Sequence, residues 1–222
     1  MQRVRWNIEL NNKTYPAIVT YKNMKTIRLK VRQGYLEISA PYGIDDQDIL
    51  KLIYEHEDDL YKRLNDYVPY YDLKDQGYIY LFGKKYKIIV RDIKEKKCAI
   101  HGDVIYVYSS YIENALNVFL VQVLYDYLVE TIKRYLPLFH LRMPQVEIKR
   151  YKGRWGSCYY EKNLVSFNTS LVFLDRELID YVVVHELSHF IEPNHSKKFY
   201  LEIQKRMPDY KRRIKLLEEK HV

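Results

Sequence analysis

Three of the chain's seven histidines fall within eleven residues, in the stretch Asp180-Tyr-Val-Val-Val-His-Glu-Leu-Ser-His-Phe-Ile-Glu-Pro-Asn-His195. Residues four apart lie on one face of a helix, so His185 and His189 point the same way, one turn apart. The run Tyr181 to Val184 before them is apolar all round, which requires this helix to be buried. A buried imidazole or carboxylate needs a partner, and a metal ion supplies one. Any fold open to this chain must therefore wrap a core around one helix and leave its histidine face accessible.

The pattern His185-Glu186-x-x-His189 places two metal-ligating histidines beside a general base. Pro193 is expected to end the helix, since proline cannot continue it. The chain can then turn so that His195 returns as a third ligand. Glu192, seven residues beyond His185 on the same face, is the competing third ligand. Three protein ligands leave a fourth position for water, the arrangement of a catalytic zinc and not of a closed structural one. Zinc brings the pKa of such a water to about 7. Glu186 is then placed to take its proton as it attacks a carbonyl, and to pass it to the leaving amine. The expectation is one Zn2+ per chain.

The N-terminal part reads differently. Val4, Trp6, Ile8 and Leu10 alternate, as do Tyr15, Ala17, Val19 and Tyr21, then Ile27, Leu29 and Val31, then Leu36 and Ile38. With turns at Asn11-Asn12 and Gln33-Gly34, this predicts an antiparallel meander with one buried face. A helix is expected from Asp45 to Tyr67, capped by Asp45 or Asp46, its charged face solvated. Hairpins are expected at Tyr78–Val90 and Cys98–Tyr108. Ser110-Tyr-Ile-Glu113 has the form of a capping box. It opens a helix whose stripe runs from Ile112 through Leu116, Leu120, Leu124 and Leu128 to Ile132 and ends at Pro137. Strands are expected at Val146–Arg150 and Leu164–Ser170. Asp175 is the expected N-cap of the histidine helix, and Ser196 of the helix after it. The class is α+β: a β-rich region with one helix at 1–109, then a catalytic half at 110–222, as two small domains or as one compact unit.

Composition narrows the partners. Hydrophobic residues make up 47% and charged residues 30%, as in a globular and not a disordered chain. No run approaches about 18 apolar residues, so no membrane span is expected. The start, Met1-Gln-Arg-Val-Arg-Trp6, lacks the apolar segment of a signal peptide. Cys98 and Cys158 have no metal spacing and suit free thiols in a reducing cytoplasm. The net charge of +8 permits an acidic partner such as a nucleotide or nucleic acid. Lysine is nevertheless spread along the chain, with no dense basic run interleaved with aromatics.

Arg154-Trp-Gly-Ser-Cys158, Asn168, Tyr181-Val-Val-Val-His-Glu-Leu-Ser-His189, Asn194-His-Ser196 and Phe199 together resemble the YgjP-like metallopeptidase family, a zincin-type group related to the SprT and M48 peptidases. The resemblance implies a zincin-like catalytic half, with His185, His189 and His195 as zinc ligands and Glu186 as the base. Tyr200 departs from the family's usual tryptophan. The histidine spacing also equals that of metzincins, but Glu192 occupies their glycine position and no Met-turn follows.

Around that site, Arg154 can stabilise an oxyanion or hold a substrate carboxylate or phosphate; equally, it can pair with a carboxylate while Trp155 packs in the core. The strand of Asn168 can bind an extended peptide along a sheet edge. The leading expectation is a zinc-dependent metallopeptidase acting on a peptide or protein. Two others stand beside it: a metal-dependent hydrolase of a phosphoanhydride such as a nucleotide, and a non-catalytic metal-stabilised module binding nucleic acid or protein.

Overall fold

The computed structural model describes residues 2–32, 34–67, 69–91 and 97–220. The class is α+β, and the chain divides into two compact units, Met1–Pro69 and Tyr70–Val222. The division falls well before the 109/110 boundary read from the sequence. The core explains the shift. Ile79, Leu81, Ile88, Ile105 and Val107 share one apolar cluster with Leu116, Leu124 and Leu128, so the hairpins belong with the helices that follow them.

In the first unit, β1 (Gln2–Leu10), β2 (Lys13–Lys22), β3 (Arg28–Arg32) and β4 (Tyr35–Pro41) form a sheet in the order β1-β2-β4-β3. This is not the expected meander, because β4 lies between β2 and β3 and runs parallel to β2. Leu36, Ile38 and Ala40 of β4 are fully buried, which suits a central strand. Arg28, Lys30 and Arg32 charge β3, as edge strands are charged. Gln33 of the expected turn lies outside the described residues. The single expected helix is two, α1 (Asp46–Glu55) and α2 (Glu57–Asn65), broken at His56. The Asp45 carboxylate caps α1 by accepting from Gln47 N–H at 2.9 Å. Glu57, Asp58 and Asp59 form the first turn of α2, where the helix dipole favours acids.

In the second unit, β5 (Tyr71–Asp72), β6 (Tyr78–Leu81), β7 (Lys84–Val90), β8 (Lys97–His101) and β9 (Val104–Tyr108) form a sheet in the order β5-β6-β7-β9-β8. Both expected hairpins are present, and β7 and β9 pair in parallel. The turn Phe82-Gly83 has positive φ at both residues, 51° and 78°, as a two-residue hairpin turn requires.

Helix α3 (Ile112–Phe139) follows. The capping box does not form: the N-cap is Tyr111, whose N–H donates to the Ser109 hydroxyl at 3.0 Å. The helix carries Pro137 within its last turn and ends where His140 turns left-handed at φ 54°. By length and composition α3 is long and apolar enough to cross a membrane. Its stripe Leu116, Leu120, Leu124, Leu128 and Ile132 is buried in the core of this unit.

A second, three-stranded sheet has β10 (Gln145–Lys149) and β11 (Gly156–Tyr159) flanking β12 (Leu164–Asn168). Helices α4 (Arg176–Ser188), α5 (Lys197–Arg206) and α6 (Tyr210–Glu218) complete the unit. Asp180 ties α4 to α3, accepting from the Tyr127 hydroxyl at 2.7 Å, Thr131 at 3.4 Å and Arg134 at 3.3 Å. Glu177 at the start of α4 holds Arg212 of α6 through both carboxylate oxygens.

Candidate metal centre

Helix α4 is buried from Leu178 to Val184, as its apolar sequence demands. His185 lies in its last turn and His189 at its C-cap. The regular helix thus closes earlier than Pro193. The next residues wind on tightly, with Ile191 and Glu192 N–H both donating to Ser188 O at 3.0 Å. This tail brings the chain round to His195. The next residue, Ser196, caps α5 by accepting from Lys198 and Phe199 N–H.

The three imidazoles converge. One ring nitrogen from each of His185, His189 and His195 lies within 4.8 Å of the other two, a group that can hold a metal ion. The Nε2 atoms of His185 and His195 are 3.0 Å apart. Tetrahedral zinc with bonds of about 2.0–2.1 Å separates its ligand nitrogens by roughly 3.3 Å, so the His185–His195 pair already stands near the spacing such an ion needs. Glu192 is not part of the group. The Phe199 ring forms the floor, its centroid 4.9, 4.5 and 4.8 Å from those of His185, His189 and His195.

Each ring has its own outer support. The Tyr181 hydroxyl lies 3.3 Å from Nδ1 of His185, one turn back on α4. The backbone of Glu192 and Pro193 beside His189 favours its protonated form, against the effect of burial. His195 stacks on Tyr200, centroids 6.4 Å apart, and Tyr200 in turn on Tyr210. Burial, then the neighbouring His189 and His195, push the pKa of His185 down to about 3. His189 is lowered by the same causes, burial first and His195 second. Both are therefore neutral near pH 7, the state in which imidazole ligates metal.

Glu186 is 5% exposed. Burial raises its pKa to about 8, opposed by the charge of Arg154. Its carboxylate lies against Gly156 of β11, where a Cβ would stand 2.6 Å from Oε1 and 2.8 Å from Cγ. Only glycine leaves this room.

These groups open into a cavity of about 620 Å³. One side is the segment from Arg154 to Cys158; α4 contributes Tyr181 and Val182, and α6 contributes Ile214 and Leu217. Arg154 is exposed on the cavity, its guanidinium 5.6 Å from the Tyr151 ring. Among the described residues no carboxylate lies within ion-pair distance of it. Trp155 lines the cavity and also packs on the core. Burial, then Glu186, push the Cys158 thiol up to about 12, which keeps it protonated and poorly nucleophilic.

Asn168 stands apart from these. It is fully buried, does not line the cavity, and has spent its polar groups. Nδ2 donates to the carbonyls of Tyr151 and Arg154, and Oδ1 accepts from Ser170 N–H. Its strand β12 is the middle one of three, with no edge to offer. Asn168 instead braces the loop that presents Arg154 and Trp155. The edge strand on the cavity is β11.

Sequence reasoning missed Tyr181, read there only as part of an apolar run, although its spacing four before His185 is the signal that finds it. It also missed the wall from α6, whose charged sequence conceals Ile214 and Leu217.

A family model described as YgjP-like, metallopeptidase domain, matches residues 25–220. No curated protein matches the chain. Among solved structures, the metallopeptidase zymogen abylysin of Pyrococcus abyssi is similar over 43% of this chain and 98% of its own, with 18% identity and a TM-score of 0.38. The metallopeptidase zymogen jannalysin of Methanocaldococcus jannaschii is similar over 41% of this chain and 95% of its own, with 23% identity and a TM-score of 0.37.

Proposed function

The chain belongs to the YgjP-like metallopeptidase family, and from that premise we propose that it is a zinc-dependent peptidase in which His185, His189 and His195 hold the ion and Glu186 moves the proton. The observation that carries this reading is the convergence of three imidazoles beside one buried carboxylate. Zinc at that point supplies Lewis acidity, acidifying water and polarising a carbonyl.

The remaining work falls to the chain's own residues. Glu186, buried beside the three imidazoles, takes a proton from water and returns it to the leaving amine. Gly156 holds its carboxylate in place. Strand β11 pairs with β12 on one side and borders the cavity through Gly156, Ser157 and Cys158. A substrate peptide adds to its open edge as a further strand, main chain to main chain. Ile214, Leu217 and Val182 exclude water from the opposite wall. Arg154 orients a substrate carboxylate or the developing oxyanion. The two cysteines are free and fit the cytoplasm as the place of action.

Replacing Glu186 by Gln tests the reading: metal content should remain near one per chain while peptide hydrolysis is lost. Full hydrolysis in that variant overturns it. A second reading rests on Arg154, a cation on the cavity with no carboxylate paired to it among the described residues, which also suits a phosphoanhydride. Peptides and nucleoside triphosphates assayed in parallel separate the two.

A further inference from the structure

We propose that the solvent face of the sheet β5-β6-β7-β9-β8 is a platform for single-stranded nucleic acid, separate from the metal centre. None of its residues lines the cavity, so the proposal stands or falls independently of the peptidase reading.

Side chains alternate across a sheet. Ile79, Leu81, Ile88, Ile105 and Val107 point inward and are buried. The residues between them therefore face outward. Tyr78 stands opposite Lys87 and Tyr80 opposite Lys85. On the other side of β7, Tyr106 stands beside Ile89, and Tyr108 opposite Lys97 of β8. Two columns of tyrosine, on β6 and β9, thus flank a column of lysine on β7. With strands about 4.8 Å apart, the tyrosine columns are roughly 9.6 Å from each other.

The sequence separates these groups by up to some thirty residues and so shows no basic-aromatic run; strand pairing interleaves them. Lys85 Nζ lies 4.1 Å from the Tyr78 ring centre, and Arg91 lies 5.8 Å from that of Tyr106. The rings of Tyr106 and Tyr108 are nearly parallel, 17° apart with centroids at 6.4 Å. Lys85, Lys87, Arg91 and Lys97 are exposed, and the four tyrosines are half-buried. Among the described residues, Asp72 is the acid at an outward strand position, and Lys74 pairs with it at 2.9 Å.

The chemistry of the face selects its partner. Cations suit phosphates, and tyrosine faces suit unpaired bases, which stack on aromatic rings whatever their identity. A duplex hides its base faces within the helix. An acidic peptide uses the lysines and leaves the rings without partners. The arrangement, with cations and rings in adjacent columns, favours a strand carrying both charge and π surface at each unit.

The full chain is titrated against fluorescein-labelled oligothymidylate of about 12 nucleotides, followed by anisotropy at about 50 mM and about 200 mM salt. A duplex of the same length and polyglutamate serve as competitors. Binding should weaken with salt. Tyr106→Leu with Tyr108→Leu should weaken it about tenfold or more through lost stacking. Lys85→Ala with Lys87→Ala, both exposed and unable to unfold a core, should lower the salt slope by roughly 1.4. Both variants should keep the wild-type metal content and melting temperature. No binding at the lower salt overturns the proposal, as does equal binding of duplex. Displacement by polyglutamate with the tyrosine variants unaffected overturns it in favour of an acidic protein partner.

Discussion

The carboxylate of Glu186 rests on the Cα of Gly156, with no space between them for a methyl group: a Cβ at Gly156 would lie 2.6 Å from Oε1 and 2.9 Å from Cδ. A backbone position on β11 thereby fixes a side chain on α4. The fit matters because a buried carboxylate has few neighbours that can hold it in one place.

Gly156→Ala should push the Glu186 carboxylate aside while leaving the histidines alone. A displacement of about 1 Å costs on the order of a hundredfold in rate. Turnover should fall by about that factor with metal content unchanged, read by steady-state kinetics and elemental analysis on one preparation. Wild-type turnover would show that the carboxylate has another way to lie.

Tyr181→Phe removes one hydroxyl and keeps the ring. Outer-shell partners of a ligating histidine are worth about 10–100-fold in metal affinity. Zinc affinity, measured by competition with a chromogenic chelator, should fall within that range, and the melting temperature of the metal-free protein should not change. Unaltered affinity would leave the hydroxyl without a role at His185.

Asp180→Ala should destabilise the second unit by about 2 kcal/mol, because Tyr127 and Thr131 lose the acceptor they share with the half-exposed Arg134. Urea unfolding measures it. A loss below about 1 kcal/mol, the range of an exposed pair, would mean that water replaces the carboxylate.

Acid should unfasten α5 from the end of α3. Glu202 accepts from Lys205 and Arg206, which hold its pKa below the usual carboxylate range. Arg206 in turn lies 3.9 Å over the Phe139 ring and donates to Leu138 O at 3.0 Å. A carboxyl lowered in the folded state stabilises fully above its unfolded pKa of about 4.3 and progressively less as pH falls through the folded value. Stability should therefore drop below about pH 4.3, and Glu202→Gln should flatten that limb. An unchanged acid limb in the variant would assign it to other carboxylates.

The histidine helix was legible because its chemistry is local: four-residue spacing, an apolar run and a breaker lie within one short stretch. The hairpins were legible for the same reason. What the sequence concealed is set by partners distant along the chain. The place of β4 between β2 and β3 depends on which strand is apolar enough to be central. The break at His56 depends on three acids preferring a helix start to a helix middle. Asn168 sits on a strand that reads as an edge, and only pairing to both β10 and β11 shows it to be central and spent on the backbone. Gly156 stands within the Arg154-Trp-Gly-Ser-Cys158 motif, but the group it accommodates lies thirty residues on.

His185 and His189 share one helical stretch and cannot part without unwinding it, whereas His195 sits on an exposed segment between Pro193 and the start of α5. The triad therefore opens from one side. Release of an ion held there is therefore expected to need only a local opening at His195, and to have a lifetime separate from that of the fold.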